Sequence, residues 1–391
     1  MSRRSLALLF GLAALLALAI APWTMSSARL NTQVKQQLRD GYGLDLIASG
    51  RITLALLPVP RLKFTDTTLA APDGTPLVRG AQLRGELRLL PLLAARLEIA
   101  DLSLADARIA VALHQDGTTS WDEPVAKLKA RAAASEPRRP HIPRLLIARS
   151  DLDIDDQRSG SRIHIGSVNA VLRWPDPDRG LDLSGSGRWG GETIHVSLSG
   201  MQPAGLAAGR TSPVVLRAVS RLAELTLSGT VNLASGLSLN GQVAATIPAL
   251  DRFCRWTGLA RPRPETGRPL IVAGEVAIGA GEIGFPQLRL TFNGAPLDGA
   301  VMFRRDGARP SLRATLAGDT LDLSPFLPPP GAPRGRWPLD SADLDALKSA
   351  DIDLRLSASA VQLDTIRLGD VAVSLLTSPE KIELALSRAT L

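Results

Sequence analysis

From about Ile47 to Leu391 apolar and polar residues alternate with a period of two, and few patterns limit a chain's choice of fold more tightly. Ile52, Leu54 and Leu56 are separated by Thr53 and Ala55, and Leu87 and Leu89 by Arg88. Successive side chains of a strand point to opposite faces, so each such segment has one apolar and one polar side. The pattern recurs as Leu97/Ile99, Leu102/Leu104, Ile109/Val111/Leu113, Ile163/Ile165, Ile194/Val196/Leu198, Leu288/Leu290/Phe292 and Ile382/Leu384/Leu386. Pro72-Asp73-Gly74, Gln115-Asp116-Gly117, Asn293-Gly294 and Asp306-Gly307 are turn signals, which predict mostly antiparallel neighbours in a meander. A sheet that is apolar on one side must close on itself, stack on a second layer, or hold something apolar.

A different segment precedes the strands. The seventeen residues from Leu6 to Pro22 carry no charge and follow Arg3 and Arg4. As a helix they are about 25 Å long, enough to span a bilayer. Leu6, Leu9, Phe10, Leu15, Leu16 and Ile20 then face lipid, and Trp23 falls at the far interface. The two arginines keep the N-terminus cytoplasmic, so the rest of the chain is exported. A cleavable signal peptide is the rival, with Ala17-Leu18-Ala19 among its candidate sites, but the run exceeds the usual apolar region of such signals. Next, Ser26 and Ser27 can cap a short helix that places Leu30, Val34 and Leu38 on one stripe and ends at Gly41. That helix either lies on the membrane surface or plugs the end of the sheet.

The fold class expected is mainly β: one N-terminal transmembrane helix, then a long, curved, mostly antiparallel, groove-like sheet with a few short helices. The divisions expected are a stub and anchor (1–25), an amphipathic helix (26–45), an N-terminal β module (46–122), a charged helix or linker (123–143), a middle β region (144–260), a further β region (261–330), and a short helix with C-terminal strands (331–391). Within them, Pro248 to Leu259 reads as a short amphipathic helix and Ser341 to Ala350 as another. The last strand is expected to be cut in mid-repeat, as in a truncated chain or one with a missing C-terminal part, with an ordinary frayed terminus as the competing view.

The chemistry-bearing residues point to no reaction. Gly185, Gly187 and Gly190 fit a dinucleotide fingerprint in spacing, yet Glu192 to Leu198 alternates as a strand where that motif needs a helix. Asp151, Asp153, Asp155 and Asp156 begin like a calcium loop, but Asp156 occupies the glycine position and Arg162 the bidentate glutamate position. Leu152 and Ile154 between them indicate the outward side of a strand. The four histidines are scattered and Cys254 is alone, so no catalytic residue, metal site or cofactor is expected. The net charge is +7, and all but six of the 45 basic residues are arginine. Such a balance favours an anionic neighbour or simple solubility; the arginines are spread along polar strand faces with only 4% aromatics, which argues against nucleic acid and for lipid head groups.

Several stretches resemble one family. Gly50-Arg51-Ile52-Thr53-Leu54-Ala55-Leu56-Leu57-Pro58, then Leu87 to Ile99 with its Leu90-Pro91-Leu92-Leu93 turn, and Asp116-Gly117-Thr118-Thr119-Ser120-Trp121 are similar to the N-terminal region of the AsmA family, and Ala314 to Leu327 with Leu354 to Leu375 to its C-terminal region. The resemblance implies a protein anchored in the bacterial inner membrane, with a periplasmic β-structure, linked to outer-membrane biogenesis and bridge-like lipid transfer. Its partners would be membrane phospholipid and the inner membrane, with outer-membrane components as further candidates. On that reading Leu54, Leu56, Phe64, Leu87, Leu89, Leu97, Ile99, Ile109, Val111 and Leu113 line a lipid groove with no chemical step. A non-transport assembly factor for outer-membrane proteins is the alternative, and an exported β-solenoid enzyme acting on polysaccharide the third.

Overall fold

The computed structural model describes residues 23–24, 35–36, 38–40, 42–48, 52–55, 59–88, 99–133, 143–176, 179–234, 236–259, 268–279, 281–305, 309–322, 324 and 350–390. Twenty-one strands lie among them, so the period-two alternation forms the mainly β fold it predicts. The chain divides into two compact units, Met1–Ala208 and Gly209–Leu391, a boundary that falls inside the stretch 144–260.

The first unit holds strands β1 (Trp23–Thr24), β2 (Asp45–Ala48), β3 (Ile52–Ala55), β4 (Arg61–Ala70), β5 (Pro76–Leu87), β6 (Ile99–Ala105), β7 (Arg108–Leu113), β8 (Arg144–Asp156), β9 (Ser161–Arg173), β10 (Leu181–Trp189) and β11 (Glu192–Met201). Helix α1 (Asp122–Ala133) comes after β7 and helix α2 (Pro203–Ala207) after β11. β2 and β3 both pair with β4, at its two ends, and β1 adds to β3. β6 and β7 are two halves of one bent strand: they pair antiparallel with β5 on one side and parallel with β8 on the other, in one constant register. Parallel neighbours need a long crossover, and the charged segment expected at 123–143, which contains most of α1, supplies it. The meander is therefore interrupted there and resumes as the antiparallel run β8 to β11.

A row of residues with left-handed backbone crosses this sheet: Asp66 (φ 53) on β4, Gly80 (φ 67) on β5, Asp106 (φ 56) between β6 and β7, Arg149 (φ 47) on β8 and Ser167 (φ 54) on β9. Register shifts accompany it on β4, β8 and β9, the mark of bulges, and bulges bend and twist strands. Side chains fix the fault line. Arg149 donates Nε and a terminal nitrogen to the two Asp106 carboxylate oxygens at 2.9 and 3.0 Å, and Gln82 Nε2 donates to Asp106 Oδ2 at 3.2 Å. Arg149 N donates to Asn169 Oδ1 and Ser167 N to Asp151 Oδ1. On the inner side of the row sit small residues, Thr67, Ala81, Ala107 and Ser150, all but fully buried.

The bend is large. In pairing order β2 and β11 are seven strand spacings apart, about 34 Å in a flat sheet. Yet α1, twelve residues and so about 18 Å long, packs against α2 just after β11, and a side chain added to Gly43, just before β2, would meet Glu123 and Lys127 of α1. Only a curled sheet allows one short helix to reach both places.

The second unit runs β12 (Ser212–Val219), β13 (Glu224–Asn232), β14 (Ser238–Ile247), β15 (Leu270–Gly279), β16 (Glu282–Phe292), β17 (Ala295–Arg304), β18 (Ser311–Asp322), β19 (Asp351–Leu363), β20 (Ile366–Thr377) and β21 (Ile382–Thr390), each paired with the next. All are antiparallel except β18 and β19, which are parallel and separated by residues 323–350. Asn293 and Gly294, both at positive φ, make the two-residue turn joining β16 to β17. Helix α3 (Leu250–Thr257) matches the amphipathic segment expected there, and Gly258 ends it in the left-handed conformation.

No helix among the described residues is long and apolar enough to cross a membrane. The run Leu6 to Pro22, the cap at Ser26 and Ser27, and all but the last residue of the helix expected at Ser341 to Ala350 lie outside the described residues. Trp23, expected at a membrane interface, pairs with Leu54 as the first residue of β1.

Candidate functional site: the apolar sheet face

The register of the strands aligns their apolar residues in rows that run across the sheet. One row in the first unit is Ile52–Phe64–Leu83–Leu104–Ile147–Ala170–Gly185–Val196; the next is Trp23–Leu54–Leu62–Gly85–Leu102–Leu145–Leu172–Leu183–Leu198. The second unit repeats the design in Leu216–Leu227–Val243–Gly274–Leu288–Gly299–Leu316–Leu356–Val373–Leu386, which crosses all ten of its strands. At about 4.8 Å per strand each row is roughly 40 Å long. None of these rows contains a charged residue.

Burial divides each face into a covered and an uncovered part. In the first unit Leu46, Leu62, Phe64, Leu69, Leu77, Val78, Leu83, Leu87 and Leu104 form a sealed cluster, on which Leu38, Leu44, Ile99, Leu102, Ile109 and Trp121 pack. Leu38 belongs to the short helix after the apolar run, so that helix covers the sheet's apolar side here. Trp121 is held by its Nε1, which donates to the Ala110 carbonyl at 2.7 Å, after a turn in which Asp116 Oδ1 accepts from the Thr118 backbone and hydroxyl. Beyond β8 the cover stops: in β9, β10 and β11 apolar and polar residues still alternate, but no residue is fully buried. The second unit has its own sealed cluster around Leu297, Leu321, Val361 and Val371, while β14 again contains no buried residue. Ile163, Ile165, Ile194, Val196, Leu225, Leu227 and Val243 are half-buried.

The groove residues expected from sequence are thereby sorted. Phe64 and Leu87, 4% and 3% exposed, fill the sealed cluster and do not line an accessible surface. That is a correction: the covering elements could not be read from the alternation. Ile99 and Ile109 pack on its margin, and Val111 and Leu113 are half-buried on β7. Leu54 takes its place in a row by backbone register, and Leu56, Leu89 and Leu97 lie outside the described residues. Ile163, Ile165, Ile194 and Val196 are half-buried like Val111 and Leu113, and their alternation is visible in the sequence but indistinguishable there from that of Leu83 or Leu87.

The other face is polar and largely charge-paired. Asp153 accepts from His164 Nδ1 at 2.6 Å and lies 3.8 Å from Arg108; Asp155 faces Arg162, and Asp156 is bound by Arg158 and Ser159. Asp151, Asp153 and Asp155 are thus on the outward side of β8, as expected, whereas Asp156, next in the strand, falls on the side of Leu152 and Ile154, a correction that follows from the alternation itself. Cross-strand pairs Arg289–Asp298, Arg304–Glu282 and Arg217–Glu224 continue the theme in the second unit. The hydrogen bonds from Arg149 and Arg289, with their charge, hold the Asp106 and Asp298 carboxyls below the usual carboxylate range. Among the described residues no three metal-ligating side chains converge. The motif at Gly185–Gly190 leads into β11, a strand.

Residues 1–188 match the family model of the AsmA family, which spans β1 to nearly the end of β10. No curated protein and no solved structure matches the chain.

Proposed function

We propose, from the premise that the chain belongs to the AsmA family through residues 1–188, that it is a membrane-anchored exported protein whose uncovered apolar sheet face holds or conducts phospholipid acyl chains. Leu6 to Pro22 is the anchor in the bacterial inner membrane, the sheet lies in the periplasm, and the cargo moves toward the outer membrane in support of its biogenesis. The observation that carries this reading is the set of charge-free apolar rows that continue past β8 through strands in which no residue is fully buried. A phospholipid with about 30 acyl methylenes, each disfavoured in water by ~0.8 kcal/mol, faces a cost on the order of 20 kcal/mol in crossing an aqueous gap. An apolar strip that meets those methylenes removes most of it. The curl of the sheet gives such a strip walls, and the scarcity of bulky aromatics leaves depth. Rows of Leu, Val, Ile, Ala and Gly discriminate poorly among acyl chains, which suits transport better than selective binding.

Purified full-length chain should carry phospholipid detectable by mass spectrometry. A photo-crosslinker placed at Val196 or Val243 should label lipid, whereas one at Leu83, inside the sealed cluster, should not. Protein free of lipid, with no labelling from either uncovered position, would sink the proposal.

A further inference from the structure

The outer face of β4 and β5 carries an opposed pair of cations, as does that of β8 and β9 in Arg144 and Arg173. Lys63 and Arg84 stand directly opposite each other across the two strands. Like charges so placed destabilise a sheet. Their row continues as Thr24–Thr53–Lys63–Arg84–Ser103 and contains no acid. Neither cation makes an ion pair among the described residues; Glu86, one position along the same face of β5, is beyond reach and sits in the next row, Arg61–Glu86–Asp101. Arg149, Arg162, Arg217, Arg289 and Arg304, in contrast, each have a carboxylate within 4 Å. An opposed cation pair without an ion-paired carboxylate is able to take an anion from outside the chain.

Its position says which anion. The row begins at Thr24, two residues after the apolar run ends at Pro22, and β1 is hydrogen-bonded into the sheet there. Lys63 is two strand spacings and Arg84 three from Thr24, about 10 and 14 Å. Head groups at the end of a spanning segment are then within about one to two Debye lengths of both charges.

We propose that this face docks on the anionic head groups of the same bilayer that holds Leu6 to Pro22, with Lys63 and Arg84 as its contacts. The proposal rests on reading that run as a membrane anchor. Docking fixes the sheet's orientation: the polar outer side of β4 and β5 lies on the membrane, and the apolar side of the same strands is turned away from it.

The test uses full-length chain in nanodiscs made either of phosphatidylcholine or of an equal mixture with phosphatidylglycerol. The acylation rate of Lys63 by a water-soluble amine-reactive reagent is read by mass spectrometry, with Lys381, just before β21, as internal reference. In the anionic discs Lys63 should react about fivefold more slowly relative to Lys381, the effect of about one favourable head-group contact. Molar salt should abolish the difference, and R84Q should reduce it. Equal rates in the two discs, or a slowing that survives molar salt, would overturn the docking. Photo-crosslinking to lipid from Val196 in the same discs separates the two proposals: protein that labels lipid from Val196 but leaves Lys63 equally reactive loses only the docking, and protein whose Lys63 is shielded but whose Val196 labels no lipid loses only the conduction.

Discussion

β5 and β11 are written in the same alphabet and end in opposite circumstances. Along β5, Leu77, Leu83 and Leu87 alternate with exposed Arg79, Gln82 and Arg84, and all three leucines are at most 6% exposed. Along β11, Ile194, Val196 and Leu198 alternate just as strictly with Thr193, His195 and Ser197, yet none is fully buried. The difference lies in what covers them, since the short helix carrying Leu38, the chain at Leu44 and the Trp121 corner all close over the β4–β6 side. Alternation fixes which way a side chain points; only the rest of the molecule decides whether anything meets it. The sealed part gives the sheet a core of its own, and the uncovered part is left available for another apolar surface.

Truncations should split this contrast by the widest margin. Phe64→Ala or Leu83→Ala removes fully enclosed atoms and should cost about 3–5 kcal/mol, read by denaturant unfolding. Ile165→Ala or Val196→Ala, on the uncovered side, should cost about 1 kcal/mol or less while reducing bound phospholipid. Equal losses at the two sets would mean that the two regions are enclosed alike and the comparison is false. Gly185 offers a sharper cut within the uncovered rows: a Cβ there would lie 2.9 Å from the Asn169 carbonyl oxygen. Gly185→Ala should therefore destabilise by about 1–2 kcal/mol, more than either truncation nearby, although it adds apolar surface.

The fault line between the regions can be probed in the stabilising direction. Thr67 is fully buried and its hydroxyl has no partner. Thr67→Val keeps the shape and removes the orphaned group, so it should raise stability by about 1 kcal/mol in thermal unfolding. An unchanged or lowered midpoint would show that the hydroxyl is satisfied by water. The smallest effect concerns pH. Hydrogen bonds from Arg149, and then its charge, depress the Asp106 carboxyl. A depressed folded-state value contributes stability that is present above the ordinary carboxylate range and lost as pH falls through the lowered value. Unfolding midpoints should thus drop below about pH 4, and Asp106→Asn should flatten that slope.

Much of the architecture was legible in the residues. Strand faces, the Asn293-Gly294 hairpin, the helix around Phe253 and Trp256, and the charged break at 123–143 all derive from period, turn chemistry and apolar spacing. The parallel pairing of β7 with β8 did not, because a crossover and a hairpin are both written as strand, break, strand. Neither did the fault line: Asp66, Asp106, Arg149 and Ser167 adopt a conformation that sequence signals chiefly through glycine. A hint was present all the same. Thr67, Ala81, Ala107 and Ser150 put small side chains at inward positions where leucine or isoleucine would otherwise recur, and a crease needs just such room. Of the site, Asp151, Asp153 and Asp155 were placed correctly, but Phe64 and Leu87 were not separable from Ile165 and Val196, since enclosure comes from elements distant in sequence.

The rows have a bearing on movement. Because they lie at right angles to the strands, a guest travelling along one would step from rung to rung of a ladder whose rungs are nearly alike, every ~4.8 Å. Near-identical rungs mean shallow wells and low barriers, so thermal agitation alone could shuttle the guest in either direction, and net flow would be set by supply at one end and removal at the other.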